Sequence, residues 1–192
     1  MKHFASRFVP LLATLAITGC ANVVVDTTGA SPATLEKLRA ANVVPVQVGA
    51  FQLAPGKPPA IDTKSASLRG SRMRPAKGSW AQLLKDTLVV ELTAAGLYDP
   101  SSRFVIEGQL TASKIDAPIK ASTGTARLAA RFIVTNDGRV EYDKELAVDT
   151  SWESSFFGAI AIPRAMNQYS ALYTKLVARL FDDPDFQRAL AK

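Results

Sequence analysis

The chain of 192 residues has a single cysteine, Cys20, and a single histidine, His3. One cysteine excludes a disulfide within the chain, so the fold is held by packing alone. Past Cys20 there is no imidazole and no further thiol. That removes the proton shuttle of a Ser-His-Asp or Cys-His arrangement. It also removes the donors from which zinc, copper and haem centres are usually built, and no metal or cofactor is expected. Long apolar runs are scarce as well. The one from Phe8 to Ile17, interrupted by Pro10 and Thr14, falls far short of the roughly 20 residues a membrane-spanning helix needs.

What precedes Cys20 has the three parts of a secretory leader. Lys2 and Arg7 form a basic start, the Phe8–Ile17 run an apolar centre, and Thr18-Gly19 a pair of small residues. Taking residues 1–19 away leaves 21 Lys and Arg against 17 Asp and Glu. The order Ile17-Thr18-Gly19-Cys20 resembles the bacterial lipobox, in which an aliphatic residue, a small residue and Gly or Ala precede the cysteine. The resemblance implies that Cys20 is acylated through its sulfur and becomes the first mature residue. Several acyl chains hold firmly where one holds weakly, since each buried methylene contributes about 0.8 kcal/mol. Ala21-Asn22 lack the Asp that keeps many such lipoproteins at the inner membrane. The implied location is therefore the periplasm-facing side of the outer membrane.

Residues 20–41 read as a lipidated tether ending in a short helix near Pro32–Ala40. Residues 42–192 read as one domain, and the chain from 20 to 192, about 170 residues, suffices for a proper core. Val44, Val46 and Val48 alternate in 43–51 as a strand, with Pro45 making it an edge or irregular one. From Gln52 to Gly78 the chain carries Pro55, Gly56, Pro58, Pro59, Gly70, Pro75 and Gly78 with little periodicity, so a long basic loop is expected. Ser79 and Gln82 form a capping-box pattern, Gly96 a C-cap, and Trp80, Leu84, Leu88 and Leu92 share a helix face between them. Strands follow at 104–115, 125–135 and 139–152, the last two joined by Asn136-Asp137-Gly138, a hairpin signal. In them Phe104, Ile106, Leu110 and Ala112, then Ala126 to Val134, then Val140, Tyr142, Leu146, Val148 and Trp152 point inward. A long helix is expected to start with Pro163 in its first turn and to bury Ile162, Met166, Tyr169, Tyr173, Leu176 and Leu180. These elements predict an α+β two-layer sandwich: a roughly four-stranded, mainly antiparallel sheet with two helices on one face.

The run from the helix through "AGLY", "VIEGQLTASKID", "NDG" and "YSALYTKLVARLFDDPDF" resembles the YajG-like family of Gram-negative envelope lipoproteins. The resemblance implies location and fold and brings no catalytic residues with it.

Three groups of residues are candidates for function. Arg69, Arg72, Arg74 and Lys77, in the basic loop with Lys57 and Lys64, face only Asp62 there. Their forks suit phosphate or carboxylate, and such a loop equally serves as a solvated surface. Phe156 and Phe157, in an uncharged stretch with Gly158, Ile160 and Ile162, offer either a docking surface or a turn packed into the core. The carboxylates Glu91, Glu107, Asp116, Glu141, Glu145 and Asp149 could pair as acid and base, or bond Arg127 and Arg131 across the hairpin. The sequence reading is a non-enzymatic, lipid-anchored envelope module. Its partners are the membrane, an envelope protein or a second copy of itself, and anionic lipid, but not nucleic acid. A subunit of an envelope transport or polysaccharide or lipid export complex is the alternative, and a carboxylate-dependent glycan hydrolase a third reading.

Overall fold

A computed structural model describes residues 22–40, 42–63, 66–69 and 71–191. Ile17, Thr18, Gly19 and Cys20 lie outside the described residues, as do Lys64 and Gly70. Twelve elements follow in the described chain: β1 (Asn22–Val25), α1 (Pro32–Ala40), β2 (Gln47–Leu53), α2 (Ala60–Thr63), β3 (Ala66–Leu68), β4 (Ser71–Pro75), α3 (Trp80–Ala95), β5 (Phe104–Asp116), β6 (Thr123–Asn136), β7 (Arg139–Glu153), α4 (Gly158–Phe181) and α5 (Pro184–Ala189).

The main sheet has the order β2-β5-β6-β7, with β2 parallel to β5 and the other neighbours antiparallel. Helices α3 and α4 lie on one face of it, α3 over β2 and β5, α4 over β6 and β7. This is the α+β two-layer arrangement. Its other face is wet along β6, where Arg127 and Arg131 alternate with the buried Ala126, Leu128, Ala130 and Phe132. Arg127 bonds Asp149, its partner in the register, while Arg131 reaches diagonally to Asp143.

Helix α3 starts and stops where its caps dictate. Ser79 is extended and its Oγ accepts from Gln82 N at 3.0 Å. Gly96 is left-handed at φ 74°, and Leu97 N closes on Leu92 O at 2.8 Å. The capping box is only half made, because the Gln82 side chain turns to Asp86. Asp62 supplies the other half, accepting from Ser79 Oγ and, at 2.8 Å, from Ala81 N. A carboxylate there also suits the positive end of the helix dipole.

Five expectations need correction. Residues 22–25 are a strand rather than a tether, paired in parallel with β4. The helix after it, α1, packs on α3 and α4, and Lys37 bonds Asp182 at 2.8 Å beyond the end of α4. The chain is thus folded almost from the cysteine onward. The segment 52–78 is not one long loop: it contains α2 and the β3–β4 hairpin, and a second sheet of order β1-β4-β3 forms there. Only three to five residues long, these strands give too little periodicity to be seen alone, and β1 joins from far away in sequence. Helix α4 begins five residues before Pro163. The proline lacks the N–H that would close on Ala159 O, so the first turn forms without that bond. This early start turns the buried stripe to Ala161 and Ala165, leaving Ile162 and Met166 half-buried. A bulge at Thr111 shifts the register between Leu110↔Ala130 and Ala112↔Ala129. It turns Ala112 away and brings Ser113 opposite Leu128 on the core face. At the far end of β7, Val140 is exposed beside the hairpin turn.

Ser113 meets the core's central cluster. Its Oγ lies 2.5 Å from Tyr169 Oη and 3.4 Å from Tyr173 Oη. Trp80 packs edge-on against Tyr169 (5.2 Å, 89°) and nearly parallel to Tyr173 (6.1 Å, 26°). Two glycines make room for aromatic rings on the same face. Phe51 lies over Gly108, its partner in the register, and Trp152 covers Gly124 in the same way. Because a Cβ at Gly108 would overlap the Phe51 ring, Gly108→Ala is expected to destabilise the domain by about 1–3 kcal/mol. Combining it with Phe51→Leu should recover part of the loss, read as urea unfolding midpoints.

Candidate interaction site

Arg69 sits in the turn of the β3–β4 hairpin with φ 51°, in the left-handed region that favours glycine. Its guanidinium does not project into solvent as a free anion receptor. Nε donates to Ala117 O (3.1 Å) and Nη2 to Pro118 O (3.0 Å) and Ser154 Oγ (3.1 Å). Nη1 donates to Ser155 O at 2.6 Å, with a longer contact to Phe156 O at 3.4 Å. One planar side chain thereby clips the β5–β6 loop to the β7–α4 loop. Every acceptor is a neutral oxygen, so the cation is held without a carboxylate against it.

The other three basic candidates go separate ways. Lys77 bonds Asp86 at 2.9 Å across the start of α3. Arg72 and Arg74 point from the solvent side of β4 and have no ion-pair partner among the described residues. Arg69 is therefore structural, and a four-residue anion clamp does not assemble. Sequence reasoning missed this because the acceptors of Arg69 are carbonyls roughly 50 and 85 residues away. Its place in a tight turn was the only local signal.

The loops that Arg69 joins, together with the first turn of α4, carry exposed apolar side chains. Phe156 is 73% exposed, Phe157 68%, Ile160 54% and Ile119 53%. Phe156 and Phe157 meet edge to face at 6.0 Å, and Phe157 N donates to Ser155 Oγ at 3.2 Å. The stretch is thus a surface feature and not a core turn. The adjoining loop strands are tied by Ser154 N donating to Ser122 O at 2.7 Å.

The carboxylates do not converge. Among the described residues no three His, Cys, Asp or Glu side chains gather as a metal site would require. An open concavity of about 430 Å³ on the wet sheet face is lined by Lys114, Arg127 and Asp149 among others, and its Asp149 is held by Arg127 at 2.7 Å. Glu145 accepts from Thr111 Oγ1. Glu91 is the one buried member: its Oε1 accepts from Ser31 N at 2.9 Å at the head of α1, and Oε2 has no partner among the described residues. Burial pushes its carboxyl above the ordinary value, and the Ser31 bond opposes that only in part. No helix among the described residues is long and apolar enough to cross a membrane.

No family model matches the sequence, and no curated protein does. Solved structures do match. The chain is similar in fold to a Xanthomonas campestris protein of the family DUF330, with TM-score 0.58 and 16% identity over 84% of this chain and 92% of that one. A candidate lipoprotein of Caulobacter crescentus (TM-score 0.44, 11% identity, 78% and 90% covered) and a minor lipoprotein of Acinetobacter baumannii (TM-score 0.39, 16% identity, 78% and 96% covered) are also found. The shared property is the fold.

Two outcomes follow from this geometry. Arg69→Ala is expected to cost about 2–3 kcal/mol, since several charge-assisted bonds go at once. Arg69→Gly should cost about 1 kcal/mol less, because glycine takes the left-handed φ without strain. Thermal unfolding of the pair checks the order, and equal losses would refute it. For Glu91, the folded protein binds the proton more tightly than the unfolded chain, so its contribution to stability falls as pH rises above the ordinary carboxylate value. Glu91→Gln keeps the acceptor for Ser31 N without the buried charge. It should melt higher than the parent at pH 7, with the advantage shrinking as pH falls to the ordinary carboxylate range.

Proposed function

We propose that the chain is a lipid-anchored module of the bacterial envelope that works by binding and carries out no catalysis. Acylation of Cys20 fixes it to the periplasmic face of the outer membrane, and a surface of the folded domain engages a further envelope component. The observation that carries this reading is Ile17-Thr18-Gly19-Cys20 standing two residues ahead of the first strand. A cysteine with no second thiol and no imidazole has little else to do there. The fold is the one shared with the DUF330 protein, and the exposed Phe156 and Phe157 support a binding role. Assembly into a transport or export complex is the same mechanism with a protein partner.

Folding of residues 22–40 into the domain changes the mechanics that a tether would imply. With Asn22 already paired beside Arg72, two residues separate the acyl chains from the folded body. Two residues span at most about 7 Å. The domain is held against the bilayer, with reach no longer a variable. Cys20→Ser is expected to abolish the acyl mass increment on the mature protein and to move it from the membrane to the soluble fraction. Retention of both would overturn the anchor.

A further inference from the structure

Strand β1 begins at the same end of the small sheet as the Arg69 turn. Strand β1 runs parallel to β4, with Asn22 beside Arg72, and Arg72 pairs on its other side with Ser67 of β3. Asn22 therefore sits one strand away from the Arg69 hairpin end. Neighbouring strands lie about 4.8 Å apart, and three extended residues span about 10 Å. Arg69 is the residue that grips the Ala117–Pro118 and Ser155–Phe156 backbone beneath the exposed side chains. Strand β1 thus begins at the end of the small sheet from which Arg69 reaches the loops of Ile119, Phe156 and Phe157.

We propose that this end of the domain is a membrane-insertion surface. Phe156, Phe157, Ile119 and Ile160 enter the headgroup–acyl boundary of an anionic bilayer, beside the acyl chains of Cys20. The inference rests on the anchoring of Cys20 and adds the orientation in which the domain is held. Aromatic and aliphatic side chains on short loops suit this boundary, where apolar area is buried to a depth of about 5–10 Å. Charge agrees with it. Arg69 is positive with neutral partners only, Lys120 follows Ile119 directly, and Arg164 lies one turn past Ile160 with Nη1 on Glu153 O at 3.0 Å. Arg72 is exposed on the adjoining strand. Asp116 and Glu153 are the acidic groups nearby, so cations outnumber them and attract anionic headgroups. Arg69 makes the surface one unit, since without it the Ile119 loop and the Phe156 loop share few bonds.

Acylation consumes the thiol of Cys20, so an introduced cysteine can be labelled alone. Full-length Phe157→Cys and, as a distant control, Val140→Cys carry an environment-sensitive fluorophore. Val140 is also exposed and stands at the opposite end of β7. Each protein is confirmed by mass to be acylated and placed in phosphatidylethanolamine–phosphatidylglycerol vesicles holding a lipid-borne nitroxide. The Phe157 probe should be quenched several-fold more than the Val140 probe, and Phe156→Cys should repeat the result. An acylated protein whose Phe157 probe is no better quenched than the control overturns the insertion surface and leaves the anchor standing. A probe that is shielded from water yet unquenched by lipid overturns it in favour of a protein partner or a second copy. A mature protein without acyl mass overturns the anchor and this surface together.

Discussion

Trp80, set between Tyr169 and Tyr173, is the contact on which the two-layer fold depends. It opens α3, the tyrosines lie one turn apart on α4, and Ser113 of β5 bonds the phenol beneath them. Helix is thereby locked to helix and both to the sheet, in a chain with no covalent cross-link. The lock needs an irregularity. Without the extra residue Thr111, Ser113 would face water and the buried Tyr169 hydroxyl would lose its shortest hydrogen bond, keeping only the longer one to Tyr173. Burial holds both tyrosine hydroxyls protonated, with their pKa raised, so the cluster is a neutral hydrogen-bonded one.

From this cluster the order spreads outward through caps and clips. Asp62 sits over the start of α3, beside Trp80, and ties α2 to it. The chain after α2 forms the β3–β4 hairpin, whose turn residue Arg69 grips the two loops at the bottom of the main sheet. Glu91 and Lys37 do the same for α1 from the other side, through Ser31 and Asp182. Buried Asp183 adds a last tie. Burial alone would raise its carboxyl, but Lys144 and the N–H groups of Asp185 and Phe186 hold it below the usual range. Polar side chains thus join elements that share little apolar surface. They do so mostly through backbone acceptors and donors, which no sequence pattern marks.

That distinction explains what could be read beforehand. The long elements were legible because each carries its own period. The caps at Ser79 and Gly96, the Asn136-Asp137-Gly138 turn and the two-residue alternation along β6 act over a few positions. They place α3, β5, β6 and β7 within a residue or two. The small sheet was not legible, since β4 offers five residues and its neighbour β1 comes from the region read as a tether. The start of α4 was misplaced because a proline marks a first turn by preference only, and the packing of Ala161 and Ala165 outweighs the lost bond. Of the site, Phe156 and Phe157 were visible as an uncharged run, but their exposure was not. An identical run can pack inward or outward.

The sequence by itself carries the Ile17-Thr18-Gly19-Cys20 order, the lack of any thiol or imidazole after Cys20, and the pattern of two long helices on a mainly antiparallel sheet. Composition and short-range periodicity are local properties, and these conclusions need nothing more. Tertiary structure alone decided the fate of the basic residues. It spends the bonds of Arg69 on two neighbouring loops, pairs Lys77 and leaves Arg72 and Arg74 in solvent. It also decided that β1 begins beside Arg72 of β4, at the end of the small sheet that carries the Arg69 turn. The physical reason is the same in both cases: a guanidinium chooses its acceptors, and a short strand its neighbour, among groups that only the folded chain brings within reach.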